Sequence, residues 1–310
     1  MNLYEYFYRL VMQIPNGRVS TYGALANALG DIRAARACGV MLSQNPDPPR
    51  IPCHRVVMSD GSLGGFTHPQ GLKRKIELLR KEGIRIVNGK VADFDKVFFD
   101  DFDTSYPLKT LRKEQNEIKN KLIIHDVFNT DLVGGVDLSY SGRMAFGALV
   151  IMDARKKIKE VITKKMRVDF PYIPTYLAFR EEPLISMLLR EVDEEIILFV
   201  DGNGILHPRY AGVATHVGVK NDVPTVGVAK SLLFGKVMGN RVIVSDKQVG
   251  WFIKSGRKKG IYISPGHKVS LGTSLKLVKN FLKYKIPEPL RLAHIYANEM
   301  RKQHMGSRPS

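Results

Sequence analysis

The chain has 310 residues, carries 48 Lys and Arg against 30 Asp and Glu for a net charge of +18, and contains two cysteines, Cys38 and Cys53. That length is more than one ordinary core needs and predicts two domains; the charge is spread along the chain, which suits a long polyanion better than a small acidic metabolite. Two cysteines exclude a disulfide framework and a zinc-ligand spacing, no stretch reaches the ~20 apolar residues of a bilayer span, and no signal-peptide pattern opens the chain. A cytoplasmic nucleic-acid-binding protein is therefore expected, with a membrane surface as the weaker partner.

Residues 3–14 place Leu3, Phe7, Leu10, Val11 and Ile14 on one helical face, and Pro15-Asn16-Gly17 ends the pattern. Ser20 and Thr21 can cap a second helix that runs to Leu29 and closes at Gly30, and a third, rich in small residues, follows over 32–42. Three short helices so spaced suggest a helix-turn-helix. Residues 93–103 alternate acids with aromatics and read as a linker, and a lysine-rich helix follows at 108–121. Segments 133–140, 145–152 and 158–164 then alternate as strands, with turn signals at Ser141-Gly142 and Asp153-Ala154. A long helix over 175–192 leads into the apolar run 196–200, which is too short for a core helix and suits a buried strand. Alternation of helix and strand continues, giving an α/β domain with a mixed sheet.

Pro52-Cys53-His54-Arg55 sets a thiol beside an imidazole and a guanidinium, neighbours that favour a reactive thiolate. Adjacent residues of an extended chain point to opposite faces, so His54 would reach Cys53 more easily through a bridging water than directly. Taken alone, the dipeptide fits a buried cysteine better than a nucleophile. Its surroundings reverse that reading. Residues 14–22, Ala35-Arg36-Ala37, Asn45-Pro46, residues 51–56 and Glu82-Gly83 resemble, in order and approximate spacing, the DNA-binding and catalytic domain of O6-alkylguanine-DNA alkyltransferases over residues 12–83. The resemblance implies that Cys53 accepts the alkyl group, His54 is its water-linked base, Glu82 orients His54, Asn45 supports the cysteine loop, Tyr22 helps rotate the target phosphate and Arg36 fills the gap left by an extruded nucleotide. Small residues Ala34, Ala35, Ala37 and Gly39 would then let the backbone approach the minor groove, the alternative being a packed core helix. His68-Pro69 departs from the usual glycine pair of the lid. The resemblance begins almost at Met1, so the extra N-terminal domain of many members is not expected. The transfer would need no cofactor and would consume the module stoichiometrically.

Asp137 lies in Gly134-Gly135-Val136-Asp137, Asp201 ends the buried strand before Gly202-Asn203-Gly204, and Glu181 can approach from the long helix. Carboxylates at strand ends project into a crevice at the sheet edge, and three such oxygens suit magnesium, with manganese as a substitute. Singly, each acid is more often a cap or surface residue. His207-Pro208-Arg209, His216 and Lys230 add groups suited to phosphoryl chemistry. With Pro171-Tyr172-Ile173-Pro174, Phe179-Arg180-Glu181, Ser264-Pro265-Gly266-His267 and Pro287-Glu288-Pro289-Leu290-Arg291, residues 109–297 resemble endonuclease V, a family with a ribonuclease H-like sheet. The resemblance implies Asp137, Glu181 and Asp201 as metal ligands, His207 and His216 as helpers, Lys230 on the substrate phosphate, a base pocket near Gly202 and Gly212, and Tyr172 as a wedge between base pairs. Asn203 stands where many bacterial members have histidine and is given no catalytic role.

The expected architecture is a mainly α, winged helix-turn-helix-like alkyltransferase domain at 1–91, a linker at 92–107 and an α/β ribonuclease H-like nuclease domain with a mixed sheet at 108–301. Residues 302–310 read as a disordered tail or cloning remnant. The expected activity is DNA repair: stoichiometric alkyl transfer from O6-alkylguanine to Cys53, and hydrolysis of the second phosphodiester 3′ of hypoxanthine, with uracil and xanthine as further candidate bases. Double- and single-stranded DNA are the expected partners, with no obligate protein partner. The competing readings are a lesion-binding protein without catalysis and a nuclease for inosine-containing RNA.

Overall fold

The computed structural model describes residues 1–254 and 260–306, so the last four residues of the expected tail lie outside the described residues. The chain divides into two compact units, Met1–Arg112 with Asp169–Pro174, and Lys113–Val168 with Thr175–Ser310. Among the described residues no helix is long and apolar enough to cross a membrane.

The first unit is mainly helical. It contains α1 (Leu3–Met12), β1 (Ser20–Thr21), α2 (Tyr22–Leu29), α3 (Ala35–Ser43), β2 (Val56–Val57), α4 (Gly71–Lys81), β3 (Ile86–Val87), β4 (Lys90–Val91) and α5 (Phe94–Val97). The Thr21 hydroxyl accepts the Ala24 amide at 3.0 Å and caps α2, while Gly30 closes it at φ +103, a left-handed value that favours glycine. Parallel pairing of β1 with β2, Ser20 to Val56 and Thr21 to Val57, brings the start of α2 alongside the chain leaving Cys53. The acidic-aromatic stretch is bound rather than free. Val19 N donates to Val97 O and Phe99 N to Val19 O, the Gln13 amide bonds both the N–H and the carbonyl of Asp103, and the Thr104 hydroxyl donates to Ala28 O at 2.6 Å. These bonds use backbone groups, which side-chain patterning does not register.

The second unit is a layered α/β structure. After α6 (Pro107–Asn120), within which the division into units falls, come β5 (Val133–Ser141), β6 (Met144–Met152), β7 (Ile158–Arg167), α7 (Leu177–Leu189), β8 (Ile197–Asp201), α8 (Val213–Asn221) and β9 (Thr225–Ala229). Then follow β10 (Lys236–Met238), β11 (Arg241–Val244), β12 (Lys247–Lys254), β13 (Gly260–His267), α9 (Leu271–Phe281) and α10 (Glu288–Gly306). Among the described residues nine strands form one sheet in the order β10-β11-β12-β13-β9-β8-β5-β6-β7. Among its described neighbouring pairs only β5/β8 and β8/β9 are parallel. Alternation sends Ile197 and Phe199 to one face, packed with Val278, Phe281, Leu290 and Ala293 of α9 and α10. Leu198 and Val200 face the other side, against Ile185, Leu188, Ala214 and Val217 of α7 and α8. Burial of one such side chain as completely as Phe199 contributes about 1.5–3 kcal/mol. Strand β7 runs three residues past the expected end because Lys165, Met166 and Arg167 stay in register with β6, and α10 carries on through 302–306, part of the stretch expected to be a disordered tail or cloning remnant.

Candidate active sites

Cys53 opens a single 3-10 turn, Cys53–Arg55, whose cap residue is Pro52. Cys53 N donates to Ile51 O at 2.8 Å, and the Asn45 amide nitrogen donates to that same carbonyl at 2.9 Å, which ties Asn45 to the cysteine loop. The turn tucks His54 inside. Its Nε2 meets Glu82 Oε1 at 2.8 Å, and Arg55 donates to both Glu82 oxygens at 2.8 and 2.9 Å and to Ile14 O at 2.7 Å. Burial alone would raise the Glu82 carboxyl, but the hydrogen bonds from Arg55 and His54 outweigh it and hold the group below the usual carboxylate range. Burial pulls His54 down, opposed by Glu82, so the imidazole is neutral near pH 7. Its other nitrogen, Nδ1, is buried with no hydrogen-bond partner among the described residues.

A cavity of about 230 Å³ lies beside the thiol, lined by Tyr22, Gly39, Asn45, Cys53, Phe66 and His68 among others. Burial, then Cys53, raises the Tyr22 phenol. His68 stacks on Phe66 with ring centroids 6.0 Å apart. Arg36 is exposed near the start of α3. The small residues around it divide: Ala34 and Ala37 are core, whereas Ala35 and Gly39 are partly exposed. Cys38 is buried and burial pushes its thiol up, so it lacks the environment of a nucleophile.

Lys75 was not singled out from the sequence. It is fully buried and donates to Val56 O at 2.6 Å and to Leu63 O. Burial brings it down to about 8 while Cys53 favours its charged form. The available signal was a lysine on the inward stripe of α4, one turn before Leu79.

Two of the carboxylates are gathered by strand register. In the parallel pair β5/β8, Val136 lies opposite Val200, so the next residues, Asp137 and Asp201, stand side by side. Burial, then Asp201, raises Asp137. Burial, then Asp201 and Asp137, pushes Glu181 up to about 8, which places all three carboxylates within mutual electrostatic reach. Each is also turned to a donor. Lys230, just past β9, pairs with Asp201, Tyr140 donates to Glu181 at 3.2 Å, and His294 Nδ1 meets Asp137 at 2.6 Å. In this arrangement no three His, Cys, Asp or Glu side chains among the described residues form a ready ligating group. The donor set nevertheless fits a hard divalent cation: three oxygen ligands whose mutual repulsion a cation relieves.

His294 was also missed. Glycine at 135 admits it: a Cβ there would meet Pro289 C at 2.3 Å, so α10 packs directly on the β5 backbone. Asn298, one turn on, bonds the His294 carbonyl at 2.8 Å and Ser139 at 2.9 Å. The polar pair His294 and Asn298 at i, i+4, with Ala293 and Ala297 buried beside it, was the legible signal.

His207 and His216 have their described partners elsewhere. His207 Nε2 bonds Thr175 O at 3.1 Å, and its Nδ1 accepts the Arg209 and Ala211 amides. His216 packs edge-on against Phe179 at 4.9 Å and lies 3.7 Å from Glu114. Burial brings the two rings down to about 4 and about 3 respectively, so both are neutral near pH 7. At Gly212 a Cβ would meet Asn203 O at 2.1 Å, a close backbone approach, whereas Gly202 leaves room for one. Tyr172 is exposed between buried Pro171 and Ile173.

Family models match both units: "6-O-methylguanine DNA methyltransferase, DNA binding domain" over residues 2–84 and "Endonuclease V" over 116–295. A bifunctional methyltransferase/endonuclease of Picrophilus torridus is 44% identical over 95% of this chain and 95% of its own length. One of Thermoplasma volcanium is 40% identical over 94% of this chain and 88% of its own. Endonuclease V of Ciona intestinalis, solved with a 24mer DNA containing an inosine followed by a ribo-adenosine, superposes with a TM-score of 0.58 at 27% identity, covering 64% of this chain and 98% of that one.

Proposed function

The chain belongs to the bifunctional methyltransferase/endonuclease family, and from that premise we propose a DNA-repair enzyme that removes alkyl groups from O6-alkylguanine with its first unit and cuts beside deaminated bases with its second. The observation that carries the reading is the coexistence in one chain of a cysteine beside a Glu82-held imidazole and a cluster in which strand register sets Asp137 beside Asp201 with Glu181 of α7 in electrostatic reach. The first unit is read as a winged helix-turn-helix with α2 and α3 as its helix pair, the second as a ribonuclease H-like nuclease, both acting in the cytoplasm.

In alkyl transfer, the Cys53 thiolate forms the new S–C bond as the C–O6 bond breaks and the electron pair stays on the guanine. His54 takes the thiol proton at Nδ1 through a bridging water, because Nε2 is committed to Glu82. Asn45 fixes the loop, Tyr22 and Phe66 wall the cavity that receives the extruded base, and exposed Arg36 fills the gap in the duplex. Nothing in this chemistry requires a cofactor, and the thioether ends it after one turnover.

In the second unit Asp137, Glu181 and Asp201 would hold magnesium, with manganese as a substitute; when bound, the ion supplies an activated water and charge neutralisation at the phosphate. His294 orients Asp137, and Lys230 is placed to exchange Asp201 for a substrate phosphate. Tyr172 is the wedge, and the loop at Gly202 and Gly212 the base pocket. The expected cut is the second phosphodiester 3′ of hypoxanthine, with uracil and xanthine as weaker substrates. The ribo-adenosine in the DNA of the Ciona complex makes inosine-containing RNA the second reading.

The test is magnesium-dependent nicking of a deoxyinosine duplex alongside its RNA counterpart at one salt concentration, with methyl transfer from O6-methylguanine DNA measured in parallel. A DNA cut one nucleotide beyond the lesion's own 3′ phosphate, plus labelled Cys53, is the expected result. A preparation that binds both lesions and alters neither would overturn the proposal in favour of simple lesion binding.

A further inference from the structure

The face of β5 that meets α10 carries its odd-numbered residues. Val133 shares a core cluster with Leu290 and Ala293, and Gly135 lies against the Pro289 backbone. Two residues along a strand advance roughly 6.7 Å and four along a helix about 6 Å, so a helical row at i, i+4 keeps step with a strand row at i, i+2. His294 and Asn298 form such a row opposite Asp137 and Ser139, and each rung is closed by a hydrogen bond. His294 Nδ1 meets Asp137 Oδ2 at 2.6 Å, and the Ser139 hydroxyl donates to Asn298 Oδ1 at 2.9 Å.

The two rungs are joined through the Asn298 amide. Its Nδ2 donates to the His294 carbonyl at 2.8 Å, and a carbonyl can only accept, so the amide nitrogen rather than the amide oxygen lies on that side. The same nitrogen is 3.1 Å from His294 Nε2. With its second hydrogen turned there, Nε2 is an acceptor and carries no proton, which leaves the one proton of a neutral ring on Nδ1, facing Asp137. Ser139 takes the amide oxygen, so Asn298 uses both donor hydrogens and its acceptor in one geometry. Asp137 Oδ1 accepts the Leu138 amide at 2.8 Å, so both carboxylate oxygens are held while a lone pair on each stays open.

We propose that Asn298 and Ser139 are positioning residues for the nuclease's cation site: they lock His294 with its proton on Nδ1, so that the ring holds Asp137 with open lone pairs for the ion. The inference rests on the nuclease reading. The opposite tautomer would set the Nδ1 lone pair against a carboxylate oxygen 2.6 Å away, and the ring or the carboxylate would have to turn. Loss of an outer partner that fixes a metal ligand typically costs about 10- to 100-fold in metal affinity.

The experiment uses the full chain without DNA. Ring-nitrogen NMR of the metal-free protein, at a pH alkaline enough to keep the ring neutral and with the His294 signals identified by their loss in His294→Gln, is expected to show the proton on Nδ1. In Asn298→Leu, which keeps the side-chain shape and removes the amide, the proton should move to Nε2 or divide between the two nitrogens. Manganese binding, read from the paramagnetic resonance signal of the free ion, should weaken about 10- to 100-fold in Asn298→Leu. Ser139→Ala, a smaller change that frees the amide oxygen, should move both readings in the same direction by less. A ring protonated on Nε2 in the intact protein, or ring signals or manganese affinity unchanged in Asn298→Leu, would overturn the lock while leaving the nuclease reading intact. An intact protein that binds no manganese would sink both.

Discussion

In the first unit one carboxylate, Glu82, is shared by the Arg55 guanidinium and the neutral His54 imidazole; in the second, three carboxylates share Lys230 and His294. The first arrangement is closed by the protein itself and holds Glu82 below its ordinary range. The second leaves a surplus of negative charge that raises Asp137 and Glu181. Charge balance thus separates a carboxylate neutralised by neighbouring side chains from a cluster left with surplus negative charge, and the two are expected to respond differently to the same perturbations.

The sharpest break is Cys53→Ala, expected to abolish alkyl transfer, read as loss of labelled protein, with nicking unchanged. Transfer surviving in that variant would sink the thiol assignment. Asp201→Ala should do the reverse, lowering nicking by about 10³-fold, the scale of several kcal/mol of lost ion-mediated stabilisation, with transfer intact. Chelation of divalent ions should likewise stop nicking and spare transfer; if it stopped both, the contrast drawn from charge balance would be wrong. His294→Ala should cost nicking about 10- to 100-fold, the usual effect of losing a group that orients a metal ligand.

The finest test is the pH profile of transfer. Burial holds His54 below its ordinary value of 6.5, and the neutral ring is the form that accepts the thiol proton. Transfer should therefore be fully present at pH 7 and fall only as pH drops below 6.5, through the lowered value. Glu82 opposes that lowering, so Glu82→Gln should slow transfer, by about 10²-fold, and move the acid limb to still lower pH. A limb that moved upward would contradict the role given to Glu82.

Much of the framework was legible locally. The Thr21 cap, the Gly30 stop and the strands at 133–140, 145–152 and 196–200 follow from patterns a few residues long, and the observed elements match them closely. The bound path of 97–104 was not legible, because it is made by backbone hydrogen bonds and by the two ends of Gln13. Lys75 and His294 were missed for a related reason: the inward stripe of α4 and the His294/Asn298 spacing can mark an inward-facing polar side chain, but not the carbonyls or the carboxylate it meets.

By itself the sequence determined the two-part organisation, the Cys53-His54 juxtaposition and the three acids, because adjacency and short-range periodicity are properties of the chain. Only the tertiary structure decided that Asp137 and Asp201 are neighbours, since that depends on the register of two strands 64 residues apart in sequence. It also decided that His294 meets Asp137. That choice was made by the close approach of α10 to Gly135, a matter of packing that no local pattern records.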